Sequence, residues 1–295
     1  MCEHGTQLTI FTPTYNRAYI LPKLYESLVG QSSKDFEWLI VDDGSTDNTR
    51  ELVNQWIQDN QIHIRYLYQE NAGKQIAMNL GADNCSTSLF DCVDSDDYLV
   101  PNAVESILDF WMNNKNEQVA GIVSLRGKTE SESITGKYMP QGVSQCHFVE
   151  LYEKHKFSGD TNLVYRTDII KKFPYKVFPG EKFIGESAQY LQIDREYQML
   201  LMDKITVICE YIEDGYTKNV YSLLKKNPKG YRYLKGLDFT MHHSLKNKYL
   251  EMIKYCSADI MCKDHKGFGE SPSKFAYILA YFPGVLAYIR YFKNA

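Results

Sequence analysis

Residues 8–17, LTIFTPTYNR, decide the fold class because an apolar run ends there at a polar turn. Leu8–Thr12 has the apolar, β-rich composition of a short buried strand, and Pro13 ends that run. Over residues 18–30 the apolar side chains recur at helical spacing, with Gly30 as a suitable cap. The same alternation continues along the chain. It predicts an α/β fold with a mostly parallel central sheet flanked by helices.

Four further apolar runs have the length of strands, and three further segments have helical periodicity. The strands are predicted over Trp38–Val41, Ile62–Tyr68, Leu89–Val93 and Ala120–Leu125, and the helices over 49–58, 74–82 and 101–112. Residues 126–160 are polar and irregular, so we expect them to form loops over a binding site.

Polar clusters follow each of the first four predicted strands. In a parallel α/β sheet, ligands bind beyond the carboxyl ends of the strands. We therefore expect one binding site formed by these clusters, which are Thr12–Arg17, Asp42–Thr46, Gln69–Lys74 and Asp94–Asp97.

Two common phosphate-binding sequences are missing from the chain. The turn at 12–17 contains no G-x-G-x-x-G, which argues against a dinucleotide-binding dehydrogenase. The chain also has no G-x-x-x-x-G-K-[ST], which excludes a P-loop. The negative charge of a nucleotide must therefore be neutralised by other groups.

The acidic turn, residues 94–97 with the sequence DSDD, is the candidate for that task. Asp94 and Asp96 alternate after an apolar strand, where two carboxylates can share Mn²⁺ or Mg²⁺ with the phosphates of a substrate. The simpler interpretation is a solvated acidic turn before the helix that Pro101 begins.

Four sequence segments together resemble the inverting family 2 glycosyltransferases, which have the Rossmann-like GT-A fold. They are PTYNR at 13–17, VDDGSTD at 41–47, ENAGK at 70–74 and DSDD at 94–97. GEKFIGES at 180–187 and YIEDGYT at 211–217 resemble the later half of bacterial members that build surface polysaccharides. The resemblance implies an enzyme that uses a nucleotide-sugar donor, usually a UDP-sugar.

By the pattern of that family, the first two segments would hold the nucleoside. Thr12, Pro13 and Tyr15 would line the uracil, with Tyr15 near the ring face. Asp43 would accept a hydrogen bond from uracil N3–H, a proton that cytosine does not have. Asp42 would brace the turn instead.

The resemblance also assigns the diphosphate and metal contacts. Arg17 and Lys74 would lie near the ribose or the diphosphate, where cationic donors suit the charge. Asp94 and Ser95 would contact the donor, and Asp96, with Asp94, would bind Mn²⁺ or Mg²⁺. Asp97 would cap the structure that follows the acidic turn.

Transfer with inversion also needs a general base for the acceptor hydroxyl. The family uses an acidic residue in the second half of its catalytic domain, and Glu186 stands at the matching position. Asp160 and Glu181 are competing candidates, and Asp160 could instead bind the donor sugar or the acceptor. The alternative for Glu186 is an exposed carboxylate at the start of a helix.

Charge divides the chain into a catalytic domain at 1–215 and a helical C-terminal region at 216–295. The first part contains 19 Lys+Arg and 32 Asp+Glu, and the second contains 14 and 5. Within the second, Phe275–Phe292 is apolar or aromatic at 15 of 18 positions and is interrupted at Pro283. We expect an interfacial helix pair on an anionic membrane surface. The alternative is a helical hairpin that packs on the catalytic domain or forms a homo-oligomer.

These observations lead to one main functional hypothesis and two alternatives. The main hypothesis is transfer of a sugar from a UDP-sugar to a glycan or lipid-linked acceptor. The alternatives are a non-catalytic nucleotide-sugar sensor or partner subunit, and a nucleotidyltransferase. Residues 1–7 have no signal-peptide pattern, and the seven cysteines form no C-x-x-C pair. We therefore expect a cytoplasmic protein that is peripheral on the inner face of the cell membrane. We expect no nucleic-acid partner.

Overall fold

The computed structural model describes residues 6–209 and 220–293. Within them the chain forms two compact units, the first made of residues 6–174 and 196–209 and the second of residues 175–195 and 220–293. The expected boundary at 215–216 and the segment 211–217 lie outside the described residues. Residues 175–195, which the sequence analysis placed in the catalytic domain, group with the C-terminal unit.

The first unit is built on one sheet, which has nine strands among the described residues. The strands are β1 (Leu8–Thr14), β2 (Phe36–Asp42), β3 (Ile64–Tyr68), β4 (Leu89–Cys92), β5 (Asp97–Leu99), β6 (Val119–Gly127), β7 (Gln145–Cys146), β8 (Thr161–Arg166) and β9 (Gln198–Cys209). The helices are α1 (Leu21–Val29), α2 (Thr49–Asp59), α3 (Lys74–Asn84), α4 (Ala103–Asn114), α5 (Phe148–Glu153) and α6 (Thr167–Ile170).

The strand order is β3-β2-β1-β4-β8-β6-β9-β5, and β7 pairs with β9. The first four strands are parallel, as predicted. Beyond β4 the sheet is mixed, because β8 runs antiparallel to both of its neighbours and β6 is parallel to β9. The α/β fold class is confirmed, and the carboxyl ends of β1, β2, β3, β4 and β6 share one edge.

The two central strands of the parallel half explain why their sequences are so apolar. Every residue of β1 and β2 is buried, as expected for strands covered by helices on both faces. On one face Phe11 stacks on Phe90, with ring centroids 5.0 Å apart. A Cβ atom at Gly81 would lie 2.2 Å from the Phe11 ring, so glycine is needed for α3 to approach β1 this closely.

The second unit is helical in its described residues. Its helices are α7 (Ser187–Ile193), α8 (Val220–Lys226), α9 (Pro228–Met241), α10 (Leu245–Cys262), α11 (Gly267–Glu270) and α12 (Lys274–Tyr291). Because α7 packs against α9, residues 175–195 belong with this unit although they precede β9 in the chain.

The expected break at Pro283 is wrong, because α12 is one continuous helix of 18 residues. Proline removes the backbone donor that would bond to the carbonyl four residues earlier, which is that of Leu279. That carbonyl accepts a hydrogen bond from the Tyr249 hydroxyl of α10 at 3.4 Å. Gly284 adds close contact, since a Cβ there would lie 2.5 Å from the Cβ of Cys256. Nowhere in residues 6–209 and 220–293 is a helix both long and apolar enough to span a bilayer.

Candidate active site

The polar turns after β1 and β2 are tied together by Asn16. Its side-chain oxygen accepts hydrogen bonds from the backbone N–H groups of Thr46 and Asp47, and its own N–H donates to Ser45 Oγ at 2.8 Å. Asn16 has φ 52°, a left-handed conformation that asparagine tolerates. Asp47 accepts in return from the N–H of Ala18. The two segments that resemble the family therefore form one connected surface.

Asp42 braces the turn after β2, as the resemblance implied. The carboxylate is buried and accepts hydrogen bonds from Ser45 N at 2.7 Å and from the Tyr66 hydroxyl at 2.6 Å. Burial and this hydrogen bond raise the pKa of Tyr66. Gly44 follows with φ +85°, and a Cβ there would lie 2.7 Å from Asn71 N. Asp42 is therefore occupied in holding the backbone.

Asp43 is also engaged within the chain, which the sequence did not indicate. Its Oδ1 accepts from Gln69 Nε2 at 2.6 Å and from Ala72 N at 2.7 Å. Its Oδ2 accepts from Gly73 N at 2.9 Å and from Asn71 Nδ2 at 3.2 Å. Two donors on each oxygen match the number of lone pairs. Asp43 thus holds the loop that leads into α3, and a contact to uracil N3–H would have to replace one of these donors.

The residues expected to line the uracil differ in accessibility. Thr12 is fully buried, and its Oγ1 accepts from Trp38 Nε1 at 2.9 Å, so its side chain belongs to the core. Pro13 is buried next to it. Tyr15 is 47% exposed, which leaves its ring face open for stacking. Of the three residues predicted to line the uracil, Tyr15 is the one with an accessible ring, and the side chain of Thr12 is turned into the core.

The acidic turn is balanced by a cation from α3. Lys74 Nζ lies 2.6 Å from Asp94 Oδ1, and both side chains are partly exposed, at 18% and 29%. Burial opposes ionisation of Asp94, but Lys74, Arg126 and Arg17 outweigh it and lower the pKa of this carboxyl. The predicted residues Lys74, Arg17 and Asp94 are therefore brought together around one anionic group.

Arg126 is a site residue that the sequence analysis missed. It lies near the carboxyl end of β6, and its Nη1 is 3.2 Å from Asp97 Oδ2. It also donates to Cys209 Sγ at 3.6 Å. β6 runs parallel to β4, with β8 between them. The carboxyl end of β6 therefore lies at the same edge of the sheet as the carboxyl end of β4. Arg126 is the first charged residue after the predicted strand, and the rule used for the other four strands would have found it.

Asp97 does not cap a helix, contrary to the expectation. It begins β5, pairs opposite Cys209 of β9 and contacts Arg126. Burial raises the pKa of Asp97 to about 6, and the charge of Asp94 adds to this effect against the opposing influence of Arg126. Ser95 is buried, whereas Asp96 is partly exposed. The turn thus presents Asp94 and Asp96 and keeps Asp97 inside.

A buried polar network lies on the strands below the acidic turn. Asp91 of β4 is fully buried and accepts from Asn162 Nδ2 of β8 at 3.0 Å. Ser124 and Thr206 continue the network across β6 and β9, with their hydroxyls 2.7 Å apart. Burial raises the pKa of Asp91 to about 7, although Asn162 and Arg126 act in the opposite direction.

The three candidate bases have different environments. Asp160 precedes β8 in the first unit, and its carbonyl accepts from the N–H of Arg126 at 3.2 Å. Glu181, in the second unit, accepts from Lys229 N and Gly230 N at 2.8 Å each, so it caps α9. Glu186, in the second unit, precedes α7, is exposed and accepts from the Tyr190 hydroxyl at 3.4 Å. Glu181 is committed to structure, and Asp160 and Glu186 stay candidates.

The donor atoms of the acidic turn suit a hard divalent cation. Asp94 and Asp96 offer carboxylate oxygens, and Mg²⁺-type ions commonly use one or two carboxylates with substrate phosphates and water. In the described part of the chain no group of three or more His, Cys, Asp or Glu could hold a metal without other ligands. Substrate phosphates and water would therefore supply the remaining ligands.

The family model for glycosyl transferase family 2 matches residues 9–173, more than half of the chain and all four segments described above. The chain belongs to glycosyl transferase family 2. The predicted family is therefore confirmed, and the matched residues contain the DDG turn (Asp42, Asp43, Gly44) and the acidic turn.

Curated relatives of this family support the same assignment. Glycosyltransferase GlyA of Streptococcus pneumoniae is 36% identical over 237 residues, which are 78% of this chain and 31% of GlyA. The GalNAc(5)-diNAcBac-PP-undecaprenol beta-1,3-glucosyltransferase of Campylobacter jejuni is 22% identical over 94% of this chain and 82% of its own length. The chain spans about a quarter to a half of the length of the first curated relatives that it matches.

A solved family structure confirms the fold. Staphylococcus aureus TarS 1–349 in complex with UDP-GlcNAc has a TM-score of 0.62 and 17% identity, covering 95% of this chain and 81% of that one. At this level of identity the similarity concerns the fold alone. The GT-A architecture predicted for the chain is therefore correct.

Proposed function

We propose that this chain is an inverting glycosyltransferase. It transfers a sugar from a UDP-sugar to a hydroxyl of a glycan or lipid-linked acceptor in bacterial surface polysaccharide synthesis. The observation that carries the proposal is the acidic turn at the sheet edge, where Asp94 is paired with Lys74 and influenced by Arg126, and Asp96 is partly exposed two residues further on. Carboxylates balanced by cations suit a diphosphate that arrives with a divalent metal ion.

The nucleoside would be held by the turns after β1 and β2. Tyr15 would stack on the uracil, since its ring is accessible. Asp43 would accept from uracil N3–H after the Gln69 side chain gives up its place, because Gln69 is a side-chain donor on that carboxylate. The backbone donors of Ala72 and Gly73 would remain, so the loop would keep its conformation.

The diphosphate would be held by charges at the start of α3 and after β1. Lys74 would turn from Asp94 toward the phosphates, and Arg17 would add a second cation. Asp94 and Asp96 would then bind Mn²⁺ or Mg²⁺, which neutralises negative charge that develops on the leaving UDP.

The reaction would be an in-line displacement at the anomeric carbon. A carboxylate takes the proton of the acceptor hydroxyl while the hydroxyl oxygen bonds to the anomeric carbon. At the same time the bond from that carbon to the diphosphate oxygen breaks. The resemblance supports Glu186 as this base, and Asp160 is the alternative. The name of the Campylobacter relative, which includes an undecaprenol-linked glycan, supports a lipid-linked acceptor.

The test is release of UDP and formation of glycoside with a panel of UDP-sugars and Mn²⁺. We expect activity to be lost on chelation and in Asp96→Asn, with Asp109→Asn as the matched control on the surface of α4. Either Glu186→Gln or Asp160→Asn should abolish transfer while UDP binding persists, and exposed Glu117→Gln should behave as wild type. Saturable UDP binding without turnover on any donor and acceptor would instead favour the non-catalytic partner or sensor.

A further inference from the structure

Helix α12 has two apolar faces on opposite sides. Its inner face packs on α10 through the buried residues Tyr277, Ala280 and Gly284. Its outer face consists of six large apolar side chains that are each 49–74% exposed, namely Phe275, Ile278, Leu279, Phe282, Leu286 and Ile289. Spacings of three, four and seven residues place these six side chains along one side of the helix.

This arrangement differs from that of an ordinary surface helix. A helix on a globular protein turns charged and polar residues to water, and an apolar face is normally covered. Isolated exposed apolar residues are common, but a contiguous row marks an interaction surface. The outer face also extends sideways, since Tyr249 of α10 is 40% exposed and bonds to the carbonyl of Leu279. The outer face therefore requires a partner with an apolar surface.

The charges of the second unit indicate which partner. Residues 220–293 contain 13 Lys+Arg and 5 Asp+Glu. All five acidic residues form ion pairs with only three cations: Arg232 with Asp259, Asp264 and Glu270; Lys235 with Asp238 and Glu251; and Lys254 with Glu251. The acidic charge of this segment is thus held in ion pairs, and a positive excess remains.

Part of that excess lies at the two ends of the outer face. Lys274 is the first residue of α12, Arg290 is in its last turn, and Lys293 follows the helix. Arg290 also lies over the ring of Tyr291, 5.3 Å from its centroid. Apolar side chains flanked by cations match the layered chemistry of a bilayer surface, in which acyl chains lie below anionic headgroups.

We propose that the outer face of α12 binds the surface of an anionic lipid bilayer. The helix lies in the plane of the membrane, with its six apolar side chains at the boundary between headgroups and acyl chains. Arg290 and Lys293 contact the lipid phosphates, whereas the Lys274 ammonium donates to the carbonyls of Phe268 and Gly269 and adds positive charge near the surface. A second copy of the chain is a poorer partner, because a symmetric dimer through this face would bring the same cations close together.

The test is co-sedimentation of the full chain with vesicles. The probes are vesicles that contain phosphatidylglycerol and vesicles of phosphatidylcholine alone. We expect binding to the first and at least tenfold weaker binding to the second. The triple variant L279Q/F282Q/L286Q should need at least tenfold more anionic lipid for half-maximal binding. The matched control M112Q/V177Q, which alters two exposed apolar side chains elsewhere, should bind within about twofold of wild type.

A charge variant keeps the test decisive if the triple variant folds poorly. R290Q/K293Q should bind anionic vesicles about tenfold more weakly, whereas K128Q/K154Q, with the same loss of charge in the first unit, should not. Unchanged vesicle binding in both outer-face variants would overturn the proposal. Concentration-dependent dimers in sedimentation velocity that the triple variant abolishes, together with no vesicle binding, would assign the face to a second copy.

Discussion

The DDG turn after β2 and the acidic turn after β4 are both rich in aspartate, yet their carboxylates have different kinds of partner. In the DDG turn, Asp42 and Asp43 accept hydrogen bonds from backbone N–H groups, a tyrosine and amide side chains, none of which is charged. In the acidic turn, Asp94 and Asp97 are paired with Lys74 and Arg126.

The difference shows which acidic residues can exchange partners. A carboxylate surrounded by backbone donors cannot release them without unfolding a loop, because each donor would be left buried and unpaired. A carboxylate paired with a lysine side chain can exchange that cation for a metal ion while the lysine turns to a phosphate. Of these acids, Asp94 is therefore the one suited to exchange its partner for a metal ion, whereas Asp42 and Asp43 belong mainly to the fold.

The largest effect is expected for Asp94→Asn. If the proposed function is correct, loss of this carboxylate should reduce transfer about 10³-fold, since it removes a proposed ligand of the metal ion and a partner of Lys74. The free energy of unfolding should change by about 1 kcal/mol or less, because a partly exposed ion pair contributes little. Kinetics with saturating donor and urea unfolding would be measured side by side. Loss of more than about 3 kcal/mol with full activity would contradict the distinction.

The opposite profile is expected for Asp43→Asn. The amide nitrogen would face two donors, so the unfolding free energy should fall by about 3 kcal/mol. The affinity for UDP should also fall, because the 69–73 loop would lose its anchor. The comparison variant is Asp35→Asn, which alters a carboxylate that accepts a hydrogen bond from Gln7 N at 3.0 Å. A fully stable Asp43→Asn would show that the hydrogen bonds of Asp43 do not hold the loop.

A smaller effect is expected for Lys74→Met. Without this cation the binding of UDP in the absence of metal should weaken about 30-fold, the loss of one charge-assisted contact. Lys74→Arg should recover part of the affinity, and the salt dependence of binding should become shallower in Lys74→Met. Titration calorimetry with UDP measures all three quantities. Equal affinity in wild type and Lys74→Met would remove Lys74 from the diphosphate site.

The smallest effect concerns Asp91, an acid that neither turn contains. Burial raises the pKa of its carboxyl to about 7 in the folded state, from 3.8 as its ordinary value. Between these values the folded state holds a proton that the unfolded state does not, so the unfolding free energy falls as pH rises. Asp91→Asn should remove on the order of 2 kcal/mol of this decline between pH 5 and 8. Parallel pH profiles for the two proteins, measured with chelator present, would disprove the raised pKa.

The parallel half of the fold was predictable because strands buried on both faces have continuous apolar sequences, as β1 and β2 do. The short strands β5 and β7 were not, since two or three residues show no periodicity. The position of the acidic turn at the binding edge was also predictable, because ligands bind beyond the carboxyl ends of parallel strands. The hydrogen bonds that engage Asp43 within the chain were not, because its donors Gln69 and Ala72 lie more than twenty residues away in sequence.

Helix α12 shows a second reason why the structure could not be predicted fully from the sequence. Pro283 indicates a break when only α12 is considered, but the carbonyl that proline leaves without a donor is satisfied by Tyr249 of another helix. Such long-range compensation has no signature in the local sequence. The apolar character of α12 was predictable, whereas its division into an inner and an outer face depends on what α10 covers.

The antiparallel insertion of β8 has a consequence for synthesis on the ribosome. Strands β1 to β4 are complete by Cys92, but the free edge of β4 is covered only when Thr161–Arg166 has been made. During that interval a parallel sheet carries an open edge with unsatisfied backbone groups, which other nascent chains could pair with. The folding yield of this chain should therefore depend on elongation rate and chaperone supply over residues 93–166, more than on the final stability of the sheet.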